Sequence, residues 1–306
     1  MPWLRLMRLP TVFTALTNIL CGYFVSTDSR ALPDVFGQTE FWLLLVSSAL
    51  LYLGGMVLND VFDYELDCQE RPERPLPSGQ IPLRSAATLG WLMMVGGLGS
   101  AFAAGLVSGT GYSSFLIAVV LAALVWFYDS TLKSTPFSPF GMAGCRFLNI
   151  MLGASCCGDW ETVWGGPQVM IAGAMFVYIL GVTWFARNET GTASLWQLIV
   201  SVLMVLSAIG LNAWLCHRTD PGNRSPAMGA MLALALVAAN IVRASIRAIS
   251  SGESIRLQKH VGFMLLNIIF IDAAMTFCVT GSSSFAFLAV APVVPAILLK
   301  KIIPLS

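Results

Sequence analysis

Residues 41–58 read FWLLLVSSALLYLGGMVL and run without interruption into NDVFDYELDCQERPERPLPSG, Asn59–Gly79. The first part is apolar and of the length that crosses a bilayer core, for which about 20 residues suffice. The second part gathers charge directly at its end. Continued as one helix at about 100° per residue, Asn59, Asp60, Asp63 and Asp67 fall within an arc of roughly 100°, while Glu65 points elsewhere. Three carboxylates and an amide sharing a face repel one another and lose hydration, so such a face needs cations or donors to neutralise it. Oxygen-only ligands suit a hard cation such as Mg²⁺, which commonly shares one or two carboxylates with substrate phosphates. Arg71 and Arg74 follow, with forked guanidinium groups that match phosphate oxygens. Pro72, Pro75 and Pro77, with Ser78 and Gly79, stop the helix and stiffen a turn. Acid, then base, then a rigid turn at a membrane surface reads as a metal-diphosphate site.

The rest of the chain accords with a membrane setting. It has 306 residues, of which 57% are hydrophobic and only 11% charged, and its mean hydropathy is +0.77. A soluble domain carries about a quarter charged residues, so the composition excludes a soluble globule. The net charge of +1 comes without any basic stripe, which excludes nucleic acid as a partner and leaves the lipid bilayer. None of the 7 cysteines stands at zinc or CxxC spacing, and they read as small buried hydrophobes.

Candidate spans lie near 10–26, 41–59, 84–107, 112–129, 140–157, 168–186, 193–216, 226–249, 260–279 and 284–299, the last broken by Pro292 and Pro295. This predicts an all-α, polytopic helical bundle of nine to ten transmembrane helices, forming a single domain over 1–306. With the amino end inside, thirteen of the 17 Lys and Arg lie on the inner side. Arg30, Arg218 and Arg224 lie outside and Arg146 lies within a span. This asymmetry places the 59–83 loop in the cytoplasm, as expected for a bacterial inner membrane. Glycines such as Gly96, Gly97 and Gly99 read as helix-packing surfaces. His217 and His260 are expected at exposed span ends.

The string NDxxDxxxD followed by RPxRPLPSG resembles the first aspartate-rich motif of the UbiA superfamily of intramembrane prenyltransferases, and RLPTVFTALTNILCG resembles that family's first helix. The second likeness argues for a retained first span and against a cleaved signal peptide. The resemblance implies an isoprenyl diphosphate, held through Mg²⁺ on Asn59, Asp60, Asp63 and Asp67, and transfer of its isoprenyl group to an aromatic or other lipophilic acceptor. It casts Asp63, Asp67 and Lys133 as catalytic and Arg71, Arg74 and Tyr128 as substrate-binding. Phe62, Tyr64, Trp126 and Phe127 are candidate cavity linings.

Several positions stay open at this level. Lys133 is similar to the family's diphosphate-contacting lysine, yet a single lysine there is also a topology signal. Arg146 and Asn149, one turn apart inside a span, either line the substrate pocket or cap a structural hydrogen-bond network. Asp272 offers a hydrogen bond to an acceptor, or pairs with Asn267 or a neighbouring helix. Where the family carries a second aspartate-rich motif this chain reads Phe185-Ala186-Arg187-Asn188-Glu189-Thr190, a departure similar to the EboC-like bacterial branch. Either Arg187 takes a metal's place, with Asn188 and Glu189 as residual ligands, or the ionising chemistry is weakened. The second alternative admits a non-catalytic carrier or transporter of a polyprenyl diphosphate.

Overall fold

The computed structural model describes residues 2–29, 31–187, 195–218 and 224–302. In chain order its helices are α1 (Pro2–Leu6), α2 (Val12–Ser26), α3 (Leu32–Phe36), α4 (Thr39–Phe62), α5 (Tyr64–Glu70), α6 (Leu83–Ser108), α7 (Ser113–Ser130) and α8 (Ser138–Ala154). They continue with α9 (Trp160–Gly165), α10 (Pro167–Arg187), α11 (Leu195–His217), α12 (Arg224–Ser251), α13 (Ser254–Thr280), α14 (Ser283–Val290) and α15 (Val293–Ile302). No strand occurs among the described residues. Nine segments among them are long and apolar enough to cross a membrane, and they include Ser283–Ile302. The 17-residue α8, with Arg146 near its middle, adds a shorter helix to the bundle. The protein is therefore an all-α integral membrane bundle. Its last segment is interrupted between α14 and α15, where Pro292 cannot continue the helix.

Enclosure varies systematically across the bundle. The apolar window of the segment containing α2 is 72% buried and that of α13 is 61% buried, against 28% for α12 and 22% for Ser283–Ile302. The first two form the centre and the last two the lipid-facing rim. The centre is tight because two glycines bring α2 and α8 into backbone contact. A Cβ on Gly22 would stand 2.0 Å from the Ile150 carbonyl oxygen, and one on Gly153 would stand 2.4 Å from that of Ile19. Such approach is how membrane helices gain packing where the lipid offers no hydrophobic drive. Of the glycines on α6, Gly97 packs against Leu51, whereas Gly99 faces open space.

The interior corrects the expectation for His260 and, of those for Asp272, selects the pairing with a neighbouring helix. His260 is 4% exposed rather than interfacial; its Nε2 lies 2.8 Å from the Ser245 hydroxyl and its ring meets Phe185 edge-on. Asp272, fully buried, accepts a 2.7 Å hydrogen bond from Asn18, while Asn267 donates to the Phe263 carbonyl four residues back. Asp272 therefore joins α13 to α2. His217 is exposed, as expected.

Candidate active site at the mouth of the bundle

The acidic stretch is not one continuous helix. α4 ends at Phe62 and α5 begins at Tyr64, with Asp63 between them at φ −86°, ψ 0°. The amides of Asp63 and Asp67 still reach the carbonyls of Asn59 and Asp63, at 3.0 and 2.8 Å. Electrostatics gives a reason for the interruption. Seven residues of straight helix separate two side chains by about 10.5 Å. Yet Asp60 and Asp67 lie 3.7 and 2.7 Å from one atom, Nη1 of Arg74.

Arg74 is positioned by the proline-rich turn. Leu76 and Ile81 sink into a small core with Leu6, Val57 and Ala86. The Ser78 amide and hydroxyl both donate to the Arg74 carbonyl, and Gly79 takes φ +73° to close the turn. Arg74 is thereby buried against the carboxylates, whereas Arg71 stays exposed at the end of α5. Arg8 completes the neutralisation from the start of the chain, donating to Asp60 at 2.9 Å. Its backbone is left-handed at φ 46°, alone among the described non-glycine residues. Strain of this kind is retained where surroundings over-determine it.

Asp63 takes a different partner. Lys133, in the turn after α7, approaches its Oδ1 to 2.6 Å, and both side chains remain partly exposed, 24% and 21%. Asn59 turns its Nδ2 to Asp129, 2.8 Å away, at the end of α7. The expected face of four is thus divided: Asp60 and Asp67 lie with Arg8 and Arg74, while Asn59 and Asp63 lie with Asp129 and Lys133. Arg187, at the end of α10, donates to the Thr135 carbonyl at 2.8 Å and lies 3.3 Å from the Ser138 hydroxyl, so it braces the turn that carries Lys133. Asn188 and Glu189 lie outside the described residues.

Behind this mouth a cavity of about 180 Å³ runs between α2, α4, α7 and α8. Leu51, Tyr52, Met56, Leu121, Val125 and Met142 form most of its wall; Arg8, Asn59, Tyr128 and Asp129 lie at the charged end, and Arg146 and Asn149 deeper. The last pair both lines this cavity and is hydrogen-bonded to neighbouring helices. Arg146 donates to Asn18 and Thr14 at 3.2 and 2.9 Å and lies over the Tyr52 ring. Asn149 accepts from Ser48 and donates to the Ala15 carbonyl, each at 2.8 Å. Both line the cavity, and Arg146 is linked through Asn18 to Asp272. Four expected lining residues do not line it: Phe62, Trp126 and Phe127 are 42–46% exposed, and Tyr64 packs on the small core beside Leu76.

Sequence reasoning missed Arg8 and Asp129. The first appeared only as a topology charge. The second, adjacent to Tyr128 and one turn before Lys133, carried a signal that was available: a carboxylate at the same end of the bundle as the acidic stretch.

The UbiA prenyltransferase family profile matches residues 15–190. The digeranylgeranylglyceryl phosphate synthase of Metallosphaera sedula is 33% identical over 168 residues, covering 53% of this chain and 55% of that protein. The synthase of the same name from Methanoculleus marisnigri is 32% identical over 134 residues, covering 44% and 43%. The chain thus spans about half the length of these curated relatives. A UbiA homolog from Archaeoglobus fulgidus, bound to DMAPP and Mg²⁺, shares the fold at TM-score 0.65 and 16% identity, over 95% of this chain and 99% of that one. A digeranylgeranylglyceryl phosphate synthase structure shares it at TM-score 0.62 and 19% identity, over 92% and 98%.

Proposed function

Because the chain belongs to the UbiA prenyltransferase family, we propose that it is a Mg²⁺-dependent membrane prenyltransferase, moving an isoprenyl group from an isoprenyl diphosphate to a lipophilic acceptor. One observation carries this reading: the Asn59–Asp129 pair lies at the charged end of a cavity with a largely apolar wall, and the Asp63–Lys133 pair follows four residues further along the same two stretches of chain. The names of the relatives, and the DMAPP and Mg²⁺ bound by the Archaeoglobus protein, support the same reaction class. We read residues 1–306 as one transmembrane domain in a bacterial inner membrane, its charged mouth toward the cytoplasm, on the distribution of Lys and Arg.

The residues at the mouth fit Mg²⁺. Asn59 gives its Nδ2 to Asp129, which leaves Oδ1 for an ion, and Asp63 keeps one oxygen clear of Lys133. No three His, Cys, Asp or Glu side chains stand at metal-holding positions among the described residues. That suits an ion whose remaining ligands are water and diphosphate oxygens. Asn59 and Asp63 would hold it; Asp60 and Asp67, expected as ligands, are engaged by Arg8 and Arg74 and stiffen the site instead. Bound Mg²⁺ would neutralise the diphosphate and so ease its departure as a leaving group.

The remaining work falls to the chain. Lys133 would exchange its contact with Asp63 for a phosphate oxygen, with Arg8, Arg71 and Arg187 around the same mouth. Tyr128 and the apolar wall position the first isoprene unit and keep water from an allylic cation. Asp129, without an ion pair among the described residues, faces the cavity and accepts the proton that the acceptor loses. A second reading, a carrier that binds the lipid diphosphate without cleaving it, is favoured by Arg187 standing where a second acidic motif is absent.

Release of pyrophosphate from a labelled allylic diphosphate, with Mg²⁺ and a panel of lipophilic acceptors, decides between the two. Turnover that falls about 10²–10³-fold in Asp63→Asn supports the transferase. Tight binding by the wild type without turnover establishes the carrier.

A further inference from the structure

A second cavity, larger than the one behind the mouth, lies away from the site just described. It is an open groove of about 890 Å³ on the lipid-facing rim. α13 packs against both α12 and α14, and the groove runs between those two. α15 packs mainly against α2 and the turn before it.

Its lining is ordered along its length. Phe263, Phe270 and Phe277 recur every seventh residue on α13, two turns apart, and so share one face. They stand opposite the small residues of α12; a Cβ on Gly229 would approach the Phe277 ring to 3.1 Å. A trough walled by phenyl rings and floored by glycine and alanine accepts an extended hydrocarbon chain.

At the other end of the same trough stand Arg243 and Arg247, with Asn240 and Asn267 beside them. α12 has 28 residues, or about 42 Å at 1.5 Å per residue, against a hydrocarbon core of about 30 Å. Arg243 is two turns from the end of α12. With the excess shared between the two ends, its Cα lies about 6 Å inside the core, where a charge normally has a partner. Among the described residues neither Arg243 nor Arg247 has an ion pair or side-chain hydrogen bond. The carboxylates of α13 and the α12–α13 turn are engaged elsewhere: Glu253 pairs with Arg256 at 2.8 Å and Asp272 with Asn18 on the interior side.

Two unpaired guanidinium groups at the headgroup end of a chain-length trough open to the bilayer are complementary to one kind of molecule. We propose that this groove is a binding site for an anionic phospholipid, its phosphate between Arg243 and Arg247 and one acyl chain along Phe263, Phe270 and Phe277. The lipid fills the space between α12 and α14 and so holds the carboxy-terminal helices to the bundle.

The test is retention of lipid by the purified full chain, read by native mass spectrometry after exchange in micelles containing phosphatidylglycerol or phosphatidylcholine. The wild type should retain one phosphatidylglycerol in preference to phosphatidylcholine. Arg243→Gln with Arg247→Gln should lower that retention at least tenfold, and Ala233→Trp, which fills the trough without altering charge, should do the same. Thermal melting of each variant in micelles lacking anionic lipid verifies folding. Equal retention by the double variant, no preference between the two lipids, binding of inorganic phosphate with the same affinity as the lipid, or occupation of the face by a second copy of the chain would each overturn the proposal. Prenyl transfer plays no part in the readout, so this result and that of the pyrophosphate assay stand independently.

Discussion

The mouth of the bundle and the rim groove both place arginines near a membrane surface, and they treat them oppositely. At the mouth Arg74 is buried between Asp60 and Asp67, Arg8 is on Asp60 and Lys133 is on Asp63. On the rim Arg243 and Arg247 have no carboxylate among the described residues. The difference separates charge that builds the protein from charge that awaits a ligand. Where cation and anion are both supplied by the chain and withdrawn from water, removing one strands the other. Where the chain supplies only the cation, removal costs the fold little and costs binding much.

The sharpest way to break the comparison is therefore Arg74→Ala. The Arg74 and Asp67 side chains are 7% and 5% exposed, and the substitution leaves two carboxylates together without their shared cation. A loss of about 3–5 kcal/mol is expected, read as a lowered unfolding midpoint in mixed micelles. A loss under about 1 kcal/mol would mean that water or Arg8 replaces it, and that the buried pair is no more structural than an exposed one.

A smaller effect is expected from Asn18→Leu, which severs the link from Arg146 to Asp272 across α8, α2 and α13. Leaving buried polar groups unsatisfied costs about 1–3 kcal/mol. This network also shows what could be read before the fold was known and what could not. Arg146 and Asp272 stood out as lone charges in apolar spans, because a charge in hydrocarbon is conspicuous whatever its partner. The partner was not legible: Asn18 meets Asp272 across 254 residues and Arg146 across 128, and the relative rotation of helices leaves no trace in local spacing.

The same limit governs the candidate site. Membrane spans, the acidic stretch and the break at Pro292 follow from composition and from what proline forbids, and all were readable. The split of four acidic-face residues into two pairs was not, because it depends on Arg8 and Asp129 arriving from other helices. A helical wheel shows which residues share a face and says nothing of which cation comes to meet them. The same reason explains why Phe62, Trp126 and Phe127 were misassigned. Aromatic residues on a membrane helix serve lipid and cavity alike, and only the packing of α4 and α7 turns these toward lipid.

Lys133→Ala should affect stability less again. Its pair with Asp63 is partly exposed on both sides, and such pairs contribute about 0–1 kcal/mol. Under the proposed transferase reading, turnover should nevertheless fall about 10²-fold or more, since the lost cation is one that stabilises a departing diphosphate. A variant with wild-type turnover would return Lys133 to a topology charge.

The smallest effect on stability is the most discriminating for the comparison. In micelles lacking anionic lipid Arg243→Gln should shift the unfolding free energy by no more than about 0.5 kcal/mol, as expected for an exposed side chain with no ion pair or hydrogen bond among the described residues. It should even relieve the cost of holding a cation near hydrocarbon. With phosphatidylglycerol added, the wild type alone should gain stability, because a ligand that binds only the folded state raises its unfolding free energy with concentration, by about 2.7 kcal/mol at a hundredfold excess over the dissociation constant. The sign of the difference between wild type and variant thus depends on the lipid. A purely structural arginine would give a loss in both micelles, and a mere topology signal would give none in either. Only a cation awaiting its anion from the bilayer gives a loss that appears when the lipid does.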